Sequence, residues 1–225
     1  GDDRLPPAAV GEAELHVPSV RLAATAMGVL RAIVGFLTFL VAFGFRHEGA
    51  PAWWFGVVLA ASMAGSFVGA AVAPRLRQRY PEERILQGSL ALVVVLGLVA
   101  VWIGGRPATA VLAAAVGIAA GAGKLAFDSI VQRDAPDAVR GRTFARFETR
   151  FQLAWVAGAA LPVAVHIPNT MGMGVLALTA AVALSSYLAA LRALHHHRHQ
   201  ELRAADDERL VDIADRHHLQ WRRER

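Results

Sequence analysis

Apolar residues run almost unbroken through six stretches of this chain, at about residues 21–45, 52–73, 85–104, 108–132, 144–165 and 171–191. Polar residues and turn formers gather between them: GAP at 49–51, PRLRQRYPEE at 74–83, GGRP at 104–107, APDAVRGR at 135–142 and HIPNTMG at 166–172. A helix needs roughly 20 mostly apolar residues to cross a hydrocarbon core of about 30 Å, and each stretch is near that length. All six are too long for a buried strand. None shows the period-two alternation of a transmembrane β-barrel strand. The pattern predicts an all-α, polytopic membrane protein with six transmembrane helices forming one bundle. It also divides the chain into a polar, proline-containing linker at 1–20, the bundle at 21–192 and a charged His/Arg-rich tail at 193–225.

Composition agrees. The 225 residues are 55% hydrophobic, with a mean hydropathy of +0.40, which a water-exposed domain of this length rarely reaches. There is no cysteine, which excludes disulfides and thiolate metal sites. A pI near 10.8 raises the question of nucleic acid. The excess arginine, however, sits in short loops and a tail beside apolar runs, as the positive-inside rule requires, so no nucleic-acid partner is expected. Arg75, Arg77, Arg79 and Arg84 occupy the second-to-third loop, Arg133, Arg140 and Arg142 the fourth-to-fifth, and eight arginines follow from Arg192. The remaining loops hold only Arg46 and Arg106. Both termini are therefore predicted cytoplasmic in a multi-pass plasma-membrane protein. Trp53, Trp54 and Trp102 fall at the outer ends, as an aromatic belt does. The chain opens GDDRLPPAAVGEAE, without an initiator Met or a signal-peptide pattern, and reads as a segment entered midway.

Three charges lie deep in the apolar runs. Arg31 is ten residues beyond Arg21, or roughly 15 Å into the membrane. A charge there costs a few kcal/mol at least and needs a partner or water. Ala24, Gly28, Gly35, Thr38 and Ala42 share its helical face, while Val29, Ile33, Phe36 and Leu40 lie opposite. Arg31 is thus expected to face protein or a cavity, and the large residues to face lipid. It either pairs structurally with carbonyls of a neighbouring helix or serves a transport pathway. Lys124 and Asp128, four apart, meet on one face that also carries Ala113, Gly117 and Gly121. They are either a structural pair with Lys124 snorkelling, or a pair lining a wet pathway that opens when substrate or a proton arrives. Glu148, between Arg146 and Arg150, is expected to pair with one of them, as structure or as part of a gate.

Small residues recur at spacing four: Ala61, Gly65, Gly69 and Ala73, then Ala113, Gly117 and Gly121. They predict close helix packing. Pro162 predicts a kink or hinge. HHHRH at 195–199 is a polar membrane exit or a loose zinc binder, with nothing to fix a metal geometry. Ser62, Ser66 and Ser129 have no evident partner, and the only histidine near a span interior is His166, at the outer end of the fifth. No nucleophile and base face each other, so no enzyme, cofactor or metal site is expected.

PDAVRGRTFARF, at 136–147, resembles the P-x-x-x-R-G stretch joining the tenth and eleventh helices of major facilitator superfamily transporters, on Pro136, Arg140 and Gly141. GAAVAPRLRQR, at 69–79, is similar to the second copy of that family's G-x-x-x-D-R-x-G-R-[RK] loop. Gly69 and Arg77 match, while Ala73 stands at the acidic position and Leu76 at the inner glycine. WVAGAALP, at 155–162, resembles its G-x-x-G-P, with Gly158 and Pro162 present and Leu161 at the second glycine.

The resemblance covers about residues 20–192 and implies the C-terminal half of a twelve-helix secondary transporter. In that family the first and fourth helices of each half line the central cavity, and the deep charges here fall on the first and fourth spans. It implies alternating access against an N-terminal six-helix half or a second copy, with efflux of a small organic solute. Arg31, Lys124 and Asp128 would form the substrate or ion pathway. Gly69, Arg75, Arg77, Pro136, Arg140, Gly141, Arg142 and Glu148 would form a cytoplasmic gate or loop motif in contact with membrane lipid. Gly158 and Pro162 would form the hinge. The alternative is a six-helix membrane scaffold or assembly protein without transport activity.

Overall fold

The structure, a computed structural model, describes residues 7–134, 140–165 and 167–194, with side chains described over 18–133, 144–165 and 167–194. Six helices follow one another: α1 (Pro7–His47), α2 (Ala52–Arg77), α3 (Glu82–Ile103), α4 (Gly105–Asp134), α5 (Arg140–Ala164) and α6 (Asn169–Leu194). By its contacts the chain divides after Tyr187 into two units, and the helical bundle is the first of them. Of the second unit the structure describes only 188–194, the end of α6. The described residues are all-helical apart from their turns, as the hydrophobic pattern predicts.

Each helix overruns its apolar stretch by a few residues, because backbone hydrogen bonding does not stop where hydrophobicity does. α1 is the largest case. It begins at Pro7, inside the stretch expected as linker, and its apolar span starts at Pro18. Five helices are long and apolar enough to cross a membrane: α1 from Pro18, α2, α3, α4 and α6. The expected fifth span is present as α5 but is not among those five. Arg146, Glu148, Arg150 and Gln152 fall in its first half, leaving continuous apolar sequence only from Leu153 onward.

Turn chemistry sets the reversals. Gly49 ends α1 with φ 62°, while its N–H donates to the Arg46 carbonyl and that of Ala50 to the Phe45 carbonyl. This is a Schellman cap, in which the left-handed position favours glycine. Gly104 and Gly105, at φ 69° and 78°, turn α3 into α4, again at positions that favour glycine.

The main contacts pair α2 with α4, α1 with α5 and α3 with α4, while α1 also meets α4. The small-residue stripes make the first pairing. A Cβ added at Gly65 or Gly69 would strike the carbonyls of Ala114 and Ile118, and one at Gly117 or Gly121 those of Ser62 and Ser66. The two helices run parallel with their backbones in contact, which small side chains permit. α1 and α5 meet likewise, with Gly35 against the Trp155 carbonyl and Gly158 against that of Ala32. α6 reaches α1 through Gly172 against Leu40, and α3 through Ala177 against Gly97.

One expected orientation reverses. Ile33, Phe36 and Leu40 are buried in the bundle, not lipid-facing. On the opposite face Ala24, Gly28, Arg31, Thr38 and Ala42 are half-buried, and Gly35 is buried against Trp155 of α5. α1 is packed by α4, α5 and α6, so its large side chains fill the core and its small face is the open one. Lipid-facing bulk comes instead from residues such as Met63 and Phe67 on α2, Leu98 and Trp102 on α3, and Leu178 on α6, all exposed.

Candidate functional site in the charged core of the bundle

The site grows from one close approach. Gly123 on α4 leaves room for Leu30 of α1, whose Cδ1 would lie 3.0 Å from an added Cβ. The residues following these two are Lys124 and Arg31, so the deep cations of α4 and α1 stand at one level of the bundle. Lys124 is ten residues, or about 15 Å, from the Asp134 end of α4.

The ammonium of Lys124 lies 2.8 Å from Asp128 Oδ1 and 3.4 Å from Glu148 Oε2. The first contact is the expected i, i+4 pair. The second corrects the sequence reading of Glu148, which meets Lys124 across α4 and α5, not Arg146 or Arg150. The reason is rotation about α5: Phe147 and Phe151 pack toward Phe127 of α4, at centroid separations of 5.3 and 5.0 Å, and this turns Glu148 to the same side. Gln152 Nε2 donates to Glu148 from one turn on, at 3.4 Å. Lys124 also lies 6.0 Å from the ring centres of Phe127 and Phe151. One cation thus answers two carboxylates, beside an aromatic cluster that excludes water from one side.

Arg31 is not part of that cluster. Its Nε is buried and has no hydrogen-bond partner among the described residues. An unsatisfied buried donor costs about 1–3 kcal/mol, so its retention needs a reason other than stability.

A second charged cluster closes the end of the bundle where α2 and α4 stop and α3 starts. Glu82 accepts from Ser129 Oγ at 2.9 Å and pairs with Arg133 at 3.0 Å and Arg77 at 3.7 Å. Glu83 pairs with Arg133 at 2.8 Å. Ser129 therefore has a partner, contrary to the sequence reading. Arg77 takes part as a loop-motif residue, while Arg75 is exposed and Gly69 is a packing glycine. The sequence reading misses Glu82, Glu83 and Arg133 as members of a charged site. The signal for them is two acids directly after Pro81, in the first turn of a helix facing an arginine-rich loop.

Pro136 lies outside the described residues, as does the HHHRH stretch. Arg140, Gly141 and Arg142 fall in the first turn of α5, with their side chains outside the described residues. Gly158 serves the α1–α5 contact, and Pro162 sits in the last turn of α5. Among the described residues no group of three or more His, Asp and Glu could hold a metal.

A family described as transmembrane secretion effector matches residues 12–217, nearly the whole chain. The chain belongs to this family of major facilitator superfamily transporters. The chain is part of a multi-pass membrane protein, as its apolar helices and the family agree. It is also similar to an uncharacterized protein of Mycobacterium leprae (strain TN), 30% identical over 147 residues, which are 64% of this chain. That stretch spans only 25% of the relative's length. No solved structure matches.

Proposed function

We propose that this chain is the C-terminal six-helix bundle of a secondary exporter, which moves a small organic solute out of the cell by rocking against an N-terminal six-helix half. A second copy of the chain is the other arrangement that would supply twelve helices. In this reading α5 is the sixth membrane span, with Glu148 turned to α4, and both termini are cytoplasmic in the plasma membrane. Arg31, Lys124 and Asp128 form the substrate or ion pathway. The Lys124 pairing with Glu148 holds α4 to α5 in one state and releases in the other, with Gly158 and Pro162 as the hinge in α5. The cluster around Glu82, with Gly69, Arg75, Arg77, Pro136, Arg140, Gly141 and Arg142, forms the cytoplasmic gate beside anionic lipid.

The observation that carries this is the buried Arg31 Nε without a partner among the described residues, on the half-open, small-residue face of α1. Intramembrane charges mark pathways when they are kept at a cost. Arg31→Ala and Lys124→Ala in the full-length protein test it. Correct insertion with loss of solute export supports the pathway role. Export at the unaltered rate in both variants overturns it, and failure of both to insert assigns the charges to folding.

A further inference from the structure

Between α1 and α5, near the ends that carry Arg21 and Arg150, lies a cavity of about 370 Å³. That is within the range that holds a drug-sized molecule. It does not contain Arg31, Lys124 or Asp128. Arg21, Thr25 and Gly28 line it from α1, and Phe147, Arg150 and Phe151 from α5.

Its chemistry is one-sided. Both charged lining residues are arginines, and no carboxylate lines it among the described residues. Neither guanidinium makes an ion pair among the described residues, in contrast to Lys124 and Arg133, whose charges are met. The nearest acid in sequence to Arg150, Glu148, is already bound to Lys124. The Arg150 guanidinium lies 5.7 Å from the Phe147 ring centre, which fixes its fork beside the aromatic wall. Thr25 donates its hydroxyl to the Arg21 carbonyl, so its proton is used within α1. At Gly28 an added Cβ would meet nothing within 4 Å, so this glycine is not required by packing. A glycine facing open volume leaves that volume free.

Two unpaired guanidinium forks beside two phenyl rings recognise an anionic group attached to an apolar or aromatic body. We infer that the α1–α5 cavity is a binding site for an organic anion, with a carboxylate, sulfonate or phosphate on Arg21 and Arg150 and an apolar body against Phe147 and Phe151. A free solute and an anionic lipid headgroup share this chemistry. Gly28 lies on the α1 face that carries Arg31, so the site adjoins the proposed pathway, but binding is measured without turnover and the two readings fail separately.

The test is fluorescence titration of the full chain in phosphatidylcholine nanodiscs with dansylglycine, an aromatic carboxylate, against dansylcadaverine, the amine of the same fluorophore, with empty nanodiscs subtracted. Saturable binding of the carboxylate but not the amine is expected. Arg150→Gln and Arg21→Gln should each weaken it at least tenfold. Gly28→Leu, whose Cβ meets nothing within 4 Å and whose remaining carbons extend into the cavity, should abolish it with an unchanged melting temperature. Arg21 and Arg150 are both exposed, and Arg21→Gln keeps the test valid should Arg150→Gln fail to fold. Displacement by dihexanoyl-phosphatidylglycerol supports the site and assigns it to a lipid headgroup, whereas retained binding supports a free solute. Equal binding of the two fluorophores, or binding unaffected by Gly28→Leu and Arg21→Gln, overturns the inference.

Discussion

Glu148 reaches Lys124 at 3.4 Å from another helix, across a loop and 24 positions of sequence. With Asp128 at 2.8 Å, the cation holds two carboxylates at once. Removing it leaves two like charges facing each other where water is scarce. Lys124→Met should therefore lower stability by about 1–2 kcal/mol, below the several kcal/mol of a fully buried pair because these side chains are 28% and 44% exposed. Adding Glu148→Gln to Lys124→Met should recover most of the loss. Thermal unfolding in detergent of the single and double variants checks the rescue, and additive losses would show that Lys124 and Glu148 do not interact.

Arg31 should behave in the opposite sense. Its Nε is buried without a partner among the described residues, so a shape-related apolar residue removes a cost. Arg31→Met is expected to raise stability by about 1 kcal/mol while abolishing export. Melting temperature and transport rate measured on one preparation decide this, since a structural arginine would lose both together.

The parallel contact of α2 and α4 depends on backbone approach. Gly117→Val pushes a side chain into the Ser62 carbonyl, and overpacking of this kind costs about 1–3 kcal/mol. Gly56→Ala, where an added Cβ meets nothing within 4 Å, should be near neutral. Expression and monodispersity of the two variants provide the comparison.

At the basic end, Glu82 serves Ser129, Arg133 and Arg77, whereas the described ion pair of Glu83 is to Arg133. Glu82→Gln should cost more than Glu83→Gln, by about 1 kcal/mol. The difference should shrink in high salt, because the Arg133 side chain is 46% exposed and its pairs are screened. Melting curves at low and high salt measure it.

The sequence by itself determined the helices, the short turns at Gly49 and Gly104, the small-residue stripes and the Lys124–Asp128 pair. These are local facts: apolar length, positive-φ glycine and i, i+4 spacing act within one segment. It also carried the family in three short motifs, the last of them inside α5. Only the tertiary structure decided what each helix faces. Periodicity shows that α1 has a large face and a small face, but not which of them α4, α5 and α6 cover; the bundle took Ile33, Phe36 and Leu40 inside and left Arg31 on the open side. Helix rotation likewise chose between the neighbours of Glu148 in sequence and Lys124 across space, because packing Phe147 and Phe151 on Phe127 removes more apolar surface than an exposed i, i+2 charge pair returns. Ser129 and Arg133 found Glu82 by the same route, through the stacking of α3 on α4, for which no single segment holds the information.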